Sequence, residues 1–222
     1  VEQGSCFTAM NGASALEMSA QLCLLKPGDE IVMPSHTFTA SAYPYVKKGA
    51  VMAWADIDLP TRVVTAETVE RALTPRTKAV VVVHLYGYVA DMPAIAALCG
   101  EKGILCIEDA AQSIGSELDG RKAGSFGDMA AFSFHSHKNL TTLGEGGMLY
   151  LRDPEMRAIL PALRHNGHCA YDFERPDYWK PAMGNVDIPM LRGEPLMPSN
   201  YSLGEVECAL GTKLLDRIDR IN

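Results

Sequence analysis

Residues 79–112 read AVVVVHLYGYVADMPAIAALCGEKGILCIEDAAQ, and the order of elements in this stretch decides the fold. Ala79 opens a continuous apolar run to Val83, and a second run covers 104–107. A strand with one wet face alternates apolar and polar residues, whereas runs this uniform belong to strands covered on both faces. Between the runs, 92–101 has the composition and length of a helix, and Lys102-Gly103 supplies its stop. Strand, helix and strand in that order form one crossover unit of a parallel sheet.

The pattern continues in both directions. It predicts strands over 30–33 and 51–55, with helices over 13–25, 38–48 and 66–73. Lys26-Pro27-Gly28-Asp29 punctuates the passage from the first helix into the first of these strands. Downstream come strands over 129–134 and 147–151 and a helix over 154–165. The stretch 169–198 is rich in Pro, Gly and aromatics without a clear period and reads as a long surface loop. A last helix is expected over 202–222, with apolar Leu203, Val206, Leu210, Leu214 and Ile218. The expectation is one doubly wound α/β domain, a mostly parallel sheet with helices on both faces. The first residue is not methionine and the last helix has no stop signal, so residues 1–222 read as part of a longer chain.

Composition narrows the function classes. Hydrophobic residues make up 47% and charged residues 21%, a globular mixture that suits neither a disordered chain nor a membrane span. A net charge of −7 argues against nucleic acid or an anionic membrane as partner. The six cysteines never fall in a CxxC pair, which argues against a zinc module and a disulfide framework and points to the cytoplasm.

Ligands of an open parallel sheet bind beyond the carboxyl ends of its strands. Three segments put polar groups there. In Ile107-Glu108-Asp109-Ala110-Ala111-Gln112 an acidic pair ends a strand; Asp109 is either the N-cap of a following helix or a carboxylate aimed at a cation. In the segment 133–147, Lys138 stands among two histidines, two threonines and three glycines; it is either a solvated loop lysine or one held against a ligand. His135 and His137 lack a third nearby ligand, so no metal is expected. Met10-Asn11-Gly12-Ala13-Ser14 is a small-residue turn opening a helix, either a plain helix start or a phosphate seat. A phosphate seat, a carboxylate and a lysine at one sheet edge together suit pyridoxal 5'-phosphate, which carries a phosphate, a basic ring nitrogen and an aldehyde.

The same residues carry a resemblance. Residues 27–39, Glu108-Asp109-Ala110-Ala111-Gln112, Gly124-Ser125-Phe126-Gly127-Asp128, the lysine segment 133–147 and Asn200-Tyr201-Ser202 occur in the order found in the DegT/DnrJ/EryC1/StrS family of pyridoxal-phosphate-dependent aminotransferases. The chain resembles the large-domain portion of that family. The resemblance implies an aspartate-aminotransferase-like (type I) fold, a homodimer with shared active sites, an N-terminal arm and a C-terminal small domain outside residues 1–222. It also implies transfer of an amino group from glutamate or glutamine to a keto sugar, mostly a nucleotide-linked one.

By resemblance Lys138 is the Schiff-base lysine and Asp109 the partner of the ring nitrogen. Phe38 stacks on the ring and Gln112 lies beside it. Gly12, Ala13 and Ser133 hold the phosphate, and Asn200 reaches the phosphate in the neighbouring subunit. The chain departs from the family in Ala13, where threonine is common, with Ser14 next to it as a substitute hydroxyl. Ser202 replaces an arginine, and Leu143 is an extra residue before Gly144. A sugar dehydratase, an aminobenzoate-forming relative and a non-catalytic regulator that keeps the fold are the rival readings.

Overall fold

The computed structural model describes residues 5–168 and 186–222. Strand β1 (Cys6–Ala9) leads into helix α1 (Gly12–Leu22), followed by β2 (Glu30–Pro34), a 3-10 turn at Thr39–Ser41, α2 (Tyr43–Lys47) and β3 (Val51–Ala55). Then come α3 (Ala66–Ala72), β4 (Thr77–Val83), α4 (Met92–Lys102) and β5 (Leu105–Asp109). A small hairpin of β6 (Glu117–Leu118) and β7 (Arg121–Lys122) precedes β8 (Met129–Ser133), β9 (Gly147–Leu151) and α5 (Pro154–Arg164). The last elements are β10 (Met190–Leu191), β11 (Glu194–Pro195), α6 (Glu205–Leu215) and α7 (Ile218–Ile221).

Seven strands form one sheet in the order β1-β9-β8-β5-β4-β2-β3, and β9 alone runs against the others. Helix α1 packs on β8 and β9 and touches α2 and α5, while α3 and α4 pack on each other and cover β2, β3 and β5 on the other face. Central strands are therefore closed off on both sides. All of β2 is buried, as are Val80 to Val83 of β4, which is why these segments read as unbroken apolar runs. Strand β3 is an edge, and its Val51 and Trp54 are half exposed. Each fully buried valine side chain contributes roughly 1.5–3 kcal/mol.

The structure modifies three expected elements. The helix expected over 38–48 is a 3-10 turn and then α2, because Pro44 has no N–H to give and fits only a first helical turn. The helix expected over 202–222 starts after Gly204 and breaks at Asp216–Arg217 into α6 and α7. Within the expected loop 169–198, residues 169–185 lie outside the described part, and the rest includes the β10–β11 hairpin. That hairpin turns at Arg192 and Gly193, both at positive φ as a tight hairpin turn requires. Gln21 of α1 staples the strand that leaves it, donating to the Met197 carbonyl (2.8 Å) and accepting from the Met197 N–H (2.9 Å).

Candidate active site

A cavity of about 370 Å³ opens where the carboxyl ends of β2, β4, β5 and β8 meet the start of α1. Its floor begins at α1. Asn11 caps that helix, accepting from Ser14 N–H (2.8 Å) and Ser14 Oγ–H (2.9 Å). The Ser14 hydroxyl proton is thus turned to the cap. The N-terminus of α1 lies tight against the sheet. A Cβ on Gly12 would sit 2.9 Å from Ser133 Cβ, and one on Gly147 would sit 2.4 Å from the Asn11 carbonyl carbon and 2.7 Å from Gly12 N. Only hydrogen fits at both places. Gly12, Ala13 and Ser133 consequently share one wall of the cavity, beside the free N–H groups of a helix start.

Asp109 ends β5, lines the same cavity and is 5% exposed. No helix follows it, so the helix-cap reading fails; Oδ1 instead accepts from Ala111 N–H (3.1 Å) in a turn. Oδ2 accepts from Ser41 Oγ–H at 2.7 Å. Among the described residues no cation pairs with this carboxylate. A buried anion without a cation is costly, and the group that best repays the cost is a positively charged ligand.

Lys138 lines the cavity from the loop after β8, with its N–H bonded to the His135 carbonyl (2.8 Å). Its ammonium makes no hydrogen bond or ion pair with any described residue. Phe38 stands at the same cavity with 71% of its surface exposed, an unusual setting for so large an apolar ring. Gln112 is oriented by the Tyr86 N–H, which donates to Oε1 at 2.7 Å; Tyr86 itself holds φ 58°, uncommon for a bulky residue. Asn200 does not line the cavity. It is exposed, bridges His165 through the backbone, and its Oδ1 accepts from Ser202 N–H (3.2 Å).

His84, which lines the cavity, and Glu108 behind it form a fully buried pair. Glu108 also accepts from the N–H groups of Gly124 (2.7 Å), Phe126 (2.7 Å) and Gly127 (2.6 Å). Burial pushes the Glu108 carboxyl up, but the bonds from His84, Gly127 and Gly124 outweigh it and hold the group below the usual carboxylate range. Among the described residues, no three His, Cys, Asp or Glu side chains gather as a metal site. Nor is any described helix long and apolar enough to cross a membrane.

Residues 1–222 match the model of the DegT/DnrJ/EryC1/StrS aminotransferase family. The chain belongs to that family. It is 38% identical over 217 residues to the L-glutamine:2-deoxy-scyllo-inosose aminotransferase of Streptomyces kanamyceticus, an alignment covering 98% of this chain and 49% of that protein. It is 43% identical over 157 residues to the UDP-N-acetyl-3-dehydro-alpha-D-glucosamine 3-aminotransferase of Acidithiobacillus ferrooxidans, covering 71% of this chain and 42% of the relative. Its fold superposes on the aminotransferase TlmJ from Streptoalloteichus hindustanus with a TM-score of 0.85 and 33% identity, over 99% of this chain and 55% of the other. The chain therefore spans about half the length of the curated relatives it matches.

The family's cofactor is pyridoxal phosphate. The residues present fit it: a cradle at Gly12 that a Cβ would fill, a buried carboxylate that lacks a cation, an unpaired lysine amine and a bare aromatic face. Sequence reading missed Thr37, Ser41 and His84, all of which line the cavity. A signal existed for the first two, since a hydroxyl-rich segment directly after β2 falls at the strand end where ligands bind.

Proposed function

We propose that the full-length protein is a pyridoxal-phosphate-dependent aminotransferase that moves an amino group from glutamate or glutamine to a nucleotide-linked keto sugar in the cytoplasm. The observation that carries this reading is one cavity lined by both the Asp109 carboxylate and the Lys138 side chain, neither of which has an oppositely charged partner among the described residues. When bound, the cofactor supplies an electron sink for the charge left as a proton leaves the donor's Cα. Asp109 holds a proton on the cofactor's ring nitrogen, because a carboxylate beside it favours the charged form. Lys138 Nζ would anchor the cofactor and, when free, would take the proton from the donor's Cα and pass it to the cofactor's aldehyde carbon. Gly12, Ala13 and Ser133 would hold the phosphate, Phe38 would offer its exposed face to the ring, and Gln112 would lie beside it.

The keto-sugar acceptor is supported by the two relatives, whose names give a keto-inositol and a nucleotide-linked keto sugar as substrates. Asn200 works across a homodimer in this reading: exposed, and away from its own chain's cavity, it is available to the phosphate bound by a partner subunit. The site takes small molecules, and nothing in its make-up calls for nucleic acid, a membrane or a metal.

The deciding experiment is reduction of the yellow, cofactor-loaded full-length protein with borohydride, followed by peptide mapping. The pyridoxyl label is expected on the peptide containing Lys138. Label on Lys102 or Lys122 overturns the assignment.

A further inference from the structure

Behind Asp109 lies a hydrogen-bond relay whose direction is fixed by chemistry. An ionised carboxylate only accepts, so Ser41 must spend its single proton on Asp109 Oδ2 at 2.7 Å. The 2.8 Å contact between Thr37 Oγ1 and Ser41 Oγ must then run from Thr37 to Ser41. Ser41 is 1% exposed, so water does not compete for either bond. The relay also ties two walls of the cavity together. Thr37 and Ser41 flank Phe38, and Asp109 ends β5, two strands away from β2, after which this segment emerges.

From this geometry we infer that Ser41 is a positioning residue, which keeps the cofactor's proton on the ring nitrogen and holds the Asp109 carboxylate in one orientation. The inference rests on the proposed cofactor-binding role of the cavity. A proton between a pyridine nitrogen and a carboxylate goes to whichever is the stronger base. Ser41 donates to the carboxylate in its ionised form, the form that pairs with a protonated ring nitrogen. Thr37, by donating to Ser41, polarises that hydroxyl and strengthens that donation. The same bond stops the Asp109 carboxyl group from turning about its own axis, because Oδ1 is held by Ala111 N–H and Oδ2 by Ser41. The Asp109 carboxylate thus presents one fixed orientation to the cavity.

The test uses the full-length protein loaded with ring-¹⁵N pyridoxal phosphate, comparing wild type with Ser41→Ala, Ser41→Thr and Thr37→Val. The ¹⁵N chemical shift reports protonation of the ring nitrogen directly, independent of turnover. In Ser41→Ala the shift is expected to move toward the unprotonated value and kcat to fall about ten- to a hundred-fold, the scale of one bond to a charged group. The amino-donor KM should change far less. Ser41→Thr keeps the hydroxyl and should restore the shift, and Thr37→Val should move it part of the way. Melting temperatures identify any variant that is merely misfolded; if Ser41→Ala is one, Thr37→Val alone decides. A wild type that binds no cofactor refutes the proposed function. A wild type that binds it normally, with a ¹⁵N shift unchanged in both Ser41→Ala and Thr37→Val, overturns the role of Ser41 alone.

Discussion

His84 Nε2 and Glu108 Oε2 stand 2.9 Å apart, and neither side chain has any exposure to solvent. On the other side of the ring, His84 Nδ1 accepts from Ala90 N–H (3.4 Å), so the ring hydrogen lies on Nε2 and points at Glu108. The pair joins the end of β4 to the end of β5, and Glu108 extends the join to the turn at 124–127. Asp109 is the next residue along, so the part of the site that holds charge stands on this buried anchor.

The anchor predicts a pH dependence of stability. The Glu108 pKa is depressed in the folded protein, so its contribution is complete above the unfolded value of about 4.3 and is lost as pH falls below it. Glu108→Gln should cost about 1.5–3 kcal/mol at neutral pH, the scale of a hydrogen bond to a charged group, and should flatten the stability curve in acid. Urea midpoints between pH 3 and pH 7 check this. Parallel curves for wild type and variant would show that Glu108 is not the group being titrated.

Close approach of α1 to β9 gives a second expectation. In Gly147→Ala the new methyl meets backbone atoms of Asn11 and Gly12, which cannot swing aside as a flexible side chain can. The helix start must shift, with a loss of about 1–3 kcal/mol. Cofactor affinity should fall at least ten-fold with it, measured by fluorescence titration. Wild-type affinity in a folded Gly147→Ala protein would remove the helix start from the phosphate seat.

Lys138 and Asp109 should separate chemistry from stability. Lys138→Ala removes an amine with no partner among the described residues, so the unfolding free energy should change by less than about 0.5 kcal/mol while transamination is abolished. Asp109→Asn should lower kcat by orders of magnitude and weaken cofactor binding less. Near-normal turnover in Asp109→Asn would mean the carboxylate serves only its turn.

Mixing subunits tests Asn200. Full-length Lys138→Ala and Asn200→Ala proteins should each be inactive or badly impaired. In a mixed dimer one site carries both lesions and the other neither, so activity should rise toward one good site per mixed dimer. Subunit exchange without recovery of activity would place Asn200 outside any shared site.

Gly12, Ala13, Phe38, Asp109, Gln112, Ser133 and Lys138 became candidates through strand-end position and family resemblance together, and the sequence alone determined the main strands and helices between residues 30 and 151 and the parallel sheet. These are legible because apolar runs, Gly and Pro stops and strand-end polar residues act over a few positions of chain. Even Pro44, which splits the helix expected over 38–48, states its effect locally. Tertiary structure decided what those residues touch. Ser41 reaches Asp109 across 68 positions and His84 reaches Glu108 across 24, contacts that exist only because β4 lies between β2 and β5 in the sheet. Whether Asp109 capped a helix or faced a cavity was likewise settled by what followed it in space. A carboxylate's role depends on which donors and cations surround it, and strand order, a property of the whole chain, chooses those neighbours.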